Sequence, residues 1–327
     1  MKEYISTAAL FWESSDIWPS FKNLDFCADN QNLLVKVKAA MFGKALHRAI
    51  TVGHPKIKPP CVLGSLLVGD TLNDTAGIPQ GSRVVVNPHA TNNNSELSIY
   101  PGAMSQIVEI SGATEKGVFI IPPAVDYYSA VYCELIACAI QSIKKISKSK
   151  KLIVIGCGLM ALIQIQVAKL FGIETVCCIY NHSCREHLIT EFGGIPIRYS
   201  EDHSALRAKL EPFIDNNAVA IIDSAGSATS AQLLFTLGFV NCEIILFAGY
   251  RIGASIPLDL NWIHYNNIDI SGCYHFDNEC FEEAIGYLEK GVVNIAPLIT
   301  NTIHWTNFNS IIAKLSSSES ISNIVVF

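Results

Sequence analysis

Gly156-x-Gly158-x-x-Ala161 follows the β-branched run Leu152-Ile-Val-Ile155, and a helical stretch over 162–171 comes next, closed by Gly172. The chemistry this pattern supports is the binding of a pyrophosphate. Gly156 permits a tight strand-to-helix turn, Gly158 lets the backbone come close to the anion, and Ala161 allows the helix to pack against the strand. N–H groups at the helix start, with Met160 in its first turn, then face the negative charge. Strand, turn and helix in this order predict a dinucleotide site.

The end of the second strand, where such sites place an acid for the ribose 2′-OH, falls on Tyr180. No carboxylate occurs in 177–184, and Asn181, His182, Ser183 and Arg185 are close by. A carboxylate would repel a 2′-phosphate, so this composition favours NADPH over NADH, with Arg185 as the candidate phosphate clamp. The competing role for Arg185 is that of an ordinary first-turn helix residue. Ser224 and Gly226, after the fourth strand, and Gly249, after the fifth, are expected to line the same cleft.

These residues need a scaffold, and the rest of the chain describes one. The 327 residues are 50% hydrophobic and 16% charged, enough apolar surface for one or two packed domains. Residues 1–6 read as a first strand, and the front continues β-rich, with strands at 33–39, 81–86, 106–110 and 118–121. Helical periodicity starts near Asp126 and runs through residue 141. Strands and helices then alternate: 152–155, a helix from 160, 175–180, a helix near 185–192, 218–223, a helix near 231–237, and 243–248. That alternation predicts an α/β fold with a Rossmann doubly wound parallel sheet. Helices at 281–291 and 307–315 lead to a last strand at 324–327.

The net charge of −6 argues against nucleic acid as a partner. No apolar run reaches the roughly 20 residues of a membrane helix. Eleven cysteines, none in C-x-x-C spacing, and no targeting segment at the start point to reduced thiols in the cytoplasm.

The order of β-rich front, nucleotide fold and mixed tail resembles the medium-chain dehydrogenase/reductase superfamily, the zinc alcohol dehydrogenase relatives. Residues 35–47 are similar to its first active-site loop, 59–69 to the segment that normally reads G-H-E, 81–86 to the G-D-x-V strand, and 221–226 to the fourth Rossmann strand. Gly272-Cys-Tyr and Pro297-Leu-Ile-Thr300 match its closing region. The resemblance implies a GroES-like catalytic domain at 1–126, the Rossmann domain at 127–268, a return to the catalytic domain at 269–327, and a homodimer joined by sheet edges.

Against that family, the metal side departs. Phe42 stands where the ligating Cys belongs, and Ser65-Leu66 replaces His-Glu. A phenyl ring, a hydroxyl and an isobutyl group do not hold Zn²⁺. Glu134 falls where a third ligand can occur, yet one carboxylate makes no zinc site. The cysteine-rich structural lobe is replaced by a polar stretch at 87–95. The expectation is an enzyme without zinc.

Without a Lewis acid, the charge left by hydride transfer must be met by hydrogen bonds or a proton donor. By position in the family loop, Lys44 and His47 are the candidate donors, Lys44 through a desolvated, lowered pKa. Ser65 is a candidate hydrogen-bond donor, and Glu134 a candidate partner for Lys44. Each has a plainer role: a solvated lysine, a turn cap, a structural serine, a helix carboxylate. The leading expectation is an NADPH-dependent reductase of an activated C=C bond, in an enone or a dehydroamino acid of a modified peptide, or of a C=O bond. A zinc-free alcohol dehydrogenase and a non-catalytic nucleotide-binding homologue are the alternatives. Pocket shape would depend on loops near Phe42, 92–100 and 274–276.

Overall fold

Period-two alternation of apolar residues builds the front of the chain from strands. A computed structural model describes residues 2–29, 31–53, 57–75, 77–88, 102–111, 117–214, 218–315, 317 and 319–327. Strands β1 (Lys2–Trp12), β2 (Ser20–Asp29) and β3 (Leu33–Phe42) lead into helix α1 (Lys44–Val52). Strands β4 (Cys61–Val62), β5 (Leu67–Thr71), β6 (Arg83–Val86), β7 (Ile107–Ile110) and β8 (Val118–Ile120) follow. Helices α2 (Tyr127–Ala130) and α3 (Cys133–Lys144) come next.

From there strands and helices alternate: β9 (Lys151–Ile155), α4 (Leu159–Leu170), β10 (Thr175–Tyr180), α5 (Glu186–Glu191), β11 (Ile195–Arg198), α6 (His203–Leu210), β12 (Ala220–Asp223), α7 (Ala228–Thr236), β13 (Glu243–Leu246), α8 (Leu260–Tyr265), β14 (Asp269–Gly272) and α9 (Asn278–Glu289). The chain ends with β15 (Ile299–His304), α10 (Asn309–Leu315) and β16 (Ser322–Val326).

Two units result, Met1–Glu134 with Ile285–Phe327, and Leu135–Ala284. In the first, β2-β1-β4 make a small antiparallel sheet, and β15-β16-β3-β5-β6-β8 make a larger one with β7 also on β3. Its core gathers Leu10, Val35, Phe42, Leu63, Leu67, Met104, Val108 and Phe308.

In the second unit the order is β11-β10-β9-β12-β13-β14, all parallel. This is the doubly wound arrangement, with its switch point between β9 and β12, where ligands sit outside the strand carboxyl ends. Its central strands are nearly all apolar because helices cover both faces. The units divide later along the chain than the sequence-based boundaries at 126/127 and 268/269, and Asp269–Gly272 pairs with β13 as the sixth strand.

Other elements also differ from expectation. The helical run over 126–141 breaks between Ala130 and Cys133, where Tyr132 is fully buried with its hydroxyl 2.5 Å from Ser322 Oγ. Strands β2, β11 and β15 and helices α6 and α8 had no counterpart in the sequence reading. β11 carries Pro196, which a sheet tolerates at an edge, and β11 is an edge strand.

Candidate functional site

In the Leu135–Ala284 unit, the fingerprint turn is built as its residues require. Gly156 has φ +109°, and a Cβ there would stand 3.3 Å from Ala225. Gly158 caps α4 in an extended conformation without a side-chain cap, and the space its Cβ would take is open. That opening, in front of the first N–H groups of a 12-residue helix, is a cradle a side chain would fill, so the residues fit a dinucleotide. Ala161 is fully buried, and Met160 is half-buried in the first turn.

The turn is held from below. The Cys178 thiol donates to the Gly156 carbonyl at 3.2 Å, and Arg185 Nη1 donates to the Cys157 carbonyl at 3.0 Å. Arg185 is 4% exposed. The side chain expected to clamp a 2′-phosphate is therefore buried against the turn, on a 3₁₀ turn that carries it inward. Helix α4 is fixed too, because the fully buried Gln164 bonds Ser142 Oγ at 3.0 Å and accepts from Ser224 Oγ.

At the end of β10, the Tyr180 hydroxyl donates to Glu186, just outside the segment read as free of acids. That carboxylate is the first cause of the raised Tyr180 pKa. Asn181 and His182 are exposed. In register with Tyr180 on β11 stands Arg198, exposed, a residue the sequence reading missed.

Asp223, the last residue of β12, is fully buried and ties the neighbouring loops together. It accepts from Ala225 N at 2.9 Å, Gly226 N at 3.2 Å, Ser230 Oγ at 2.9 Å and the Tyr250 hydroxyl at 2.6 Å. Burial first, and Asp223 second, raise the Tyr250 pKa. Gly226, at φ +67°, comes so close to the loop after β13 that a Cβ would lie 2.7 Å from the Gly249 carbonyl oxygen. Gly249 is exposed. Ser224, Gly226 and Gly249 thus stand at adjacent strand ends, as expected. The Asp223–Tyr250 contact spans sequence and had no local signal.

The first unit holds the other candidates. Phe42, at the end of β3, is fully buried and meets Phe308 edge to face, centroids 5.1 Å apart. Its carbonyl accepts from Asn323 Nδ2 at 3.2 Å. Ser65 and Leu66 are buried as well, at 7% and 8% exposed. The position that the resemblance assigns to a metal ligand is filled by core, and these side chains do not fit Zn²⁺. Among the described residues no three His, Cys, Asp or Glu side chains gather closely enough to hold a metal ion.

Lys44 opens α1 and is exposed, where a desolvated lysine was expected. His47, one turn on, is half-buried and tilts against Trp18 at 5.5 Å. Burial, then the Lys44 charge, lowers its pKa from 6.5. Glu134 is half-buried in the first turn of α3, where an acid also suits the helix dipole.

All eleven cysteines are free, and burial pushes Cys177 up to about 12. No helix among the described residues is long and apolar enough to cross a membrane. The stretch 92–100, and 87–95 from residue 89 on, lie outside the described residues.

No family model matches the chain. In sequence it is 23% identical over 299 residues to sorbitol dehydrogenase from Bacillus subtilis (strain 168), a match covering 84% of this chain and 83% of that protein. In structure it is similar to a zinc-binding-type dehydrogenase from Sinorhizobium meliloti 1021 bound to NADP, with TM-score 0.84, 18% identity and coverage of 99% and 100%. It is also similar to a protein described as a short chain alcohol dehydrogenase from Escherichia coli CFT073 complexed with NADH, with TM-score 0.84, 19% identity and coverage of 98% and 99%. Those structures share the fold across the whole chain.

Proposed function

We propose that this chain, a member of the medium-chain dehydrogenase/reductase superfamily, is an oxidoreductase that works without zinc. It uses NADPH to reduce an activated C=C bond, in an enone or a dehydroamino acid residue of a modified peptide, or a C=O bond. The observation that carries this reading is the coexistence of an open glycine cradle with a ligand position filled by the buried ring of Phe42.

A nicotinamide dinucleotide whose pyrophosphate is held by the cradle would supply hydride. The protein does the rest. N–H groups at the start of α4, behind Gly158, bind the pyrophosphate, Met160, Ser224, Gly226 and Gly249 border the nucleotide, and buried Ala161 lets α4 pack close on its strand. The Asp223–Tyr250 bond fixes the loops after β12 and β13. Lys44 and His47 handle the proton that follows hydride addition. His47, kept neutral near pH 7, relays a proton, accepting on one ring nitrogen and giving from the other. Exposed Lys44 supplies it from solvent, with Glu134 as its partner. Ser65, buried in the first unit, keeps the structural part. A conjugated acceptor spreads the charge, which lowers the demand for a Lewis acid.

The absence of a carboxylate from 177–184 supports NADPH over NADH; the two similar structures hold one nucleotide each, NADP and NADH, and favour neither. The expected partner is a second copy of the chain, in the cytoplasm. The edge of the parallel sheet at β14 carries exposed Ile270, and Leu260, Tyr265 and Tyr274 near it in sequence are exposed as well.

Turnover of NADPH with a panel of small enones, dehydroalanine peptides and ketones tests the reading. Consumption with at least one acceptor, by protein free of metal, supports it. Alcohol oxidation alone, or no binding of either nucleotide, sinks it.

A further inference from the structure

Two arginines stand near the adenosine end of the cradle, and the structure separates their surroundings. Arg185 is buried and its guanidinium bonds the Cys157 carbonyl at 3.0 Å. With the Cys178 thiol on the Gly156 carbonyl, it points both carbonyls of the turn inward, which leaves the turn's other face to the nucleotide. Its contact is with backbone common to any dinucleotide site. Nothing in it discriminates one adenosine ribose from another.

Arg198 is placed differently. It ends β11, in parallel register with Tyr180 at the end of β10. Partners in register on adjacent strands lie about 4.8 Å apart and project to the same face. Tyr180 occupies the position that reads the 2′ substituent. Arg198 therefore reaches the space beside it, from an exposed site where a guanidinium is available. Its charge is felt at the Tyr180 hydroxyl. The neighbouring carboxylate of Glu186 accepts from that hydroxyl and keeps its negative charge. With Arg185 turned inward, Arg198 is the exposed guanidinium in register with this strand end.

Resting on the reading that the chain binds NADPH, we propose that Arg198 is the specificity-determining residue that binds the 2′-phosphate, while Arg185 is a positioning residue that fixes the glycine turn for either nucleotide. A guanidinium fork on a phosphate is a strong, directional contact, which lysine or glutamine cannot reproduce.

Calorimetric titration of the full chain with NADPH, NADH and adenosine 2′,5′-bisphosphate tests the division. Arg198→Gln is expected to weaken NADPH and the bisphosphate by about tenfold or more and to leave NADH within about twofold. Arg185→Lys is expected to weaken NADPH and NADH by the same factor. Equal effects of Arg198→Gln on NADPH and NADH, no effect on either, or a loss confined to NADPH in Arg185→Lys would overturn the proposal. Arg198 is on the surface, so its variant decides the matter even where Arg185→Lys fails to fold. Wild-type protein that binds neither nucleotide contradicts the underlying reading, and that result appears before any variant is made. Wild-type protein that binds NADH more tightly than NADPH overturns the assignment of Arg198 while keeping the dinucleotide site.

Discussion

The ring of Phe42 meets the ring of Phe308 edge to face, 5.1 Å between centroids at 79°, with neither side chain reaching solvent. The position that the sequence resemblance compares with a metal ligand is part of the core of the first unit. Phe42→Ala is expected to lower stability by about 3–5 kcal/mol, through lost burial and a residual cavity. Urea unfolding checks this. A loss under about 1 kcal/mol would mean the ring is dispensable packing.

The two glycines of the cradle should behave oppositely. Gly156 has φ +109° and touches the loop at Ala225, so Gly156→Ala is expected to cost about 1–3 kcal/mol. Gly158 is extended and faces open space, so Gly158→Val should leave the unfolding midpoint nearly unchanged. The valine should instead abolish nucleotide binding, read by NADPH fluorescence. Full binding by Gly158→Val would remove the cradle from its assigned place.

These contrasts show what the sequence made legible. The strand, glycine turn and helix at 152–171 announce themselves because local geometry demands those residue types at that spacing. The identities of Phe42, Ser65 and Leu66 were equally plain in the sequence, and the expectation of a broken ligand set rests on them. Direction was hidden. Spacing places Arg185 near the second strand end, but the 3₁₀ turn over 183–185 decides that it faces inward, to Cys157. Arg198 was invisible because its strand holds Pro196 and pairs only at an edge. Asp223 and Tyr250 meet across two strand ends, which no local pattern records. Lys44 was expected to be desolvated, and it stands exposed at the start of α1, whose buried residues are Leu46 and Ala49.

Tyr250→Phe removes one of four hydrogen bonds to the buried carboxylate of Asp223. The cost is expected to be about 1–3 kcal/mol, because a buried acceptor loses a donor. Nucleotide affinity should fall too, since the loops after β12 and β13 loosen. Denaturation and titration of the same variant check both. An unchanged midpoint would show that water replaces the hydroxyl.

His47 gives a pH dependence with a defined sign. Burial, and then Lys44, lower its folded pKa below 6.5. The unfolded chain therefore takes up this proton at higher pH than the folded one. The stabilising contribution is complete above 6.5 and is lost as pH falls through 6.5 toward the folded value. His47→Gln should flatten that segment of the curve of melting temperature against pH. An unaltered curve would show that other groups cause the acid-side loss.

Metal content and turnover measured on one preparation bear most directly on the central claim. The protein is purified without chelator, analysed for zinc, and assayed with NADPH and an activated alkene or ketone before and after chelator treatment. Zinc far below one per chain is expected, with a rate that chelation does not change. One zinc per chain, with activity lost on its removal and restored on its return, would contradict it.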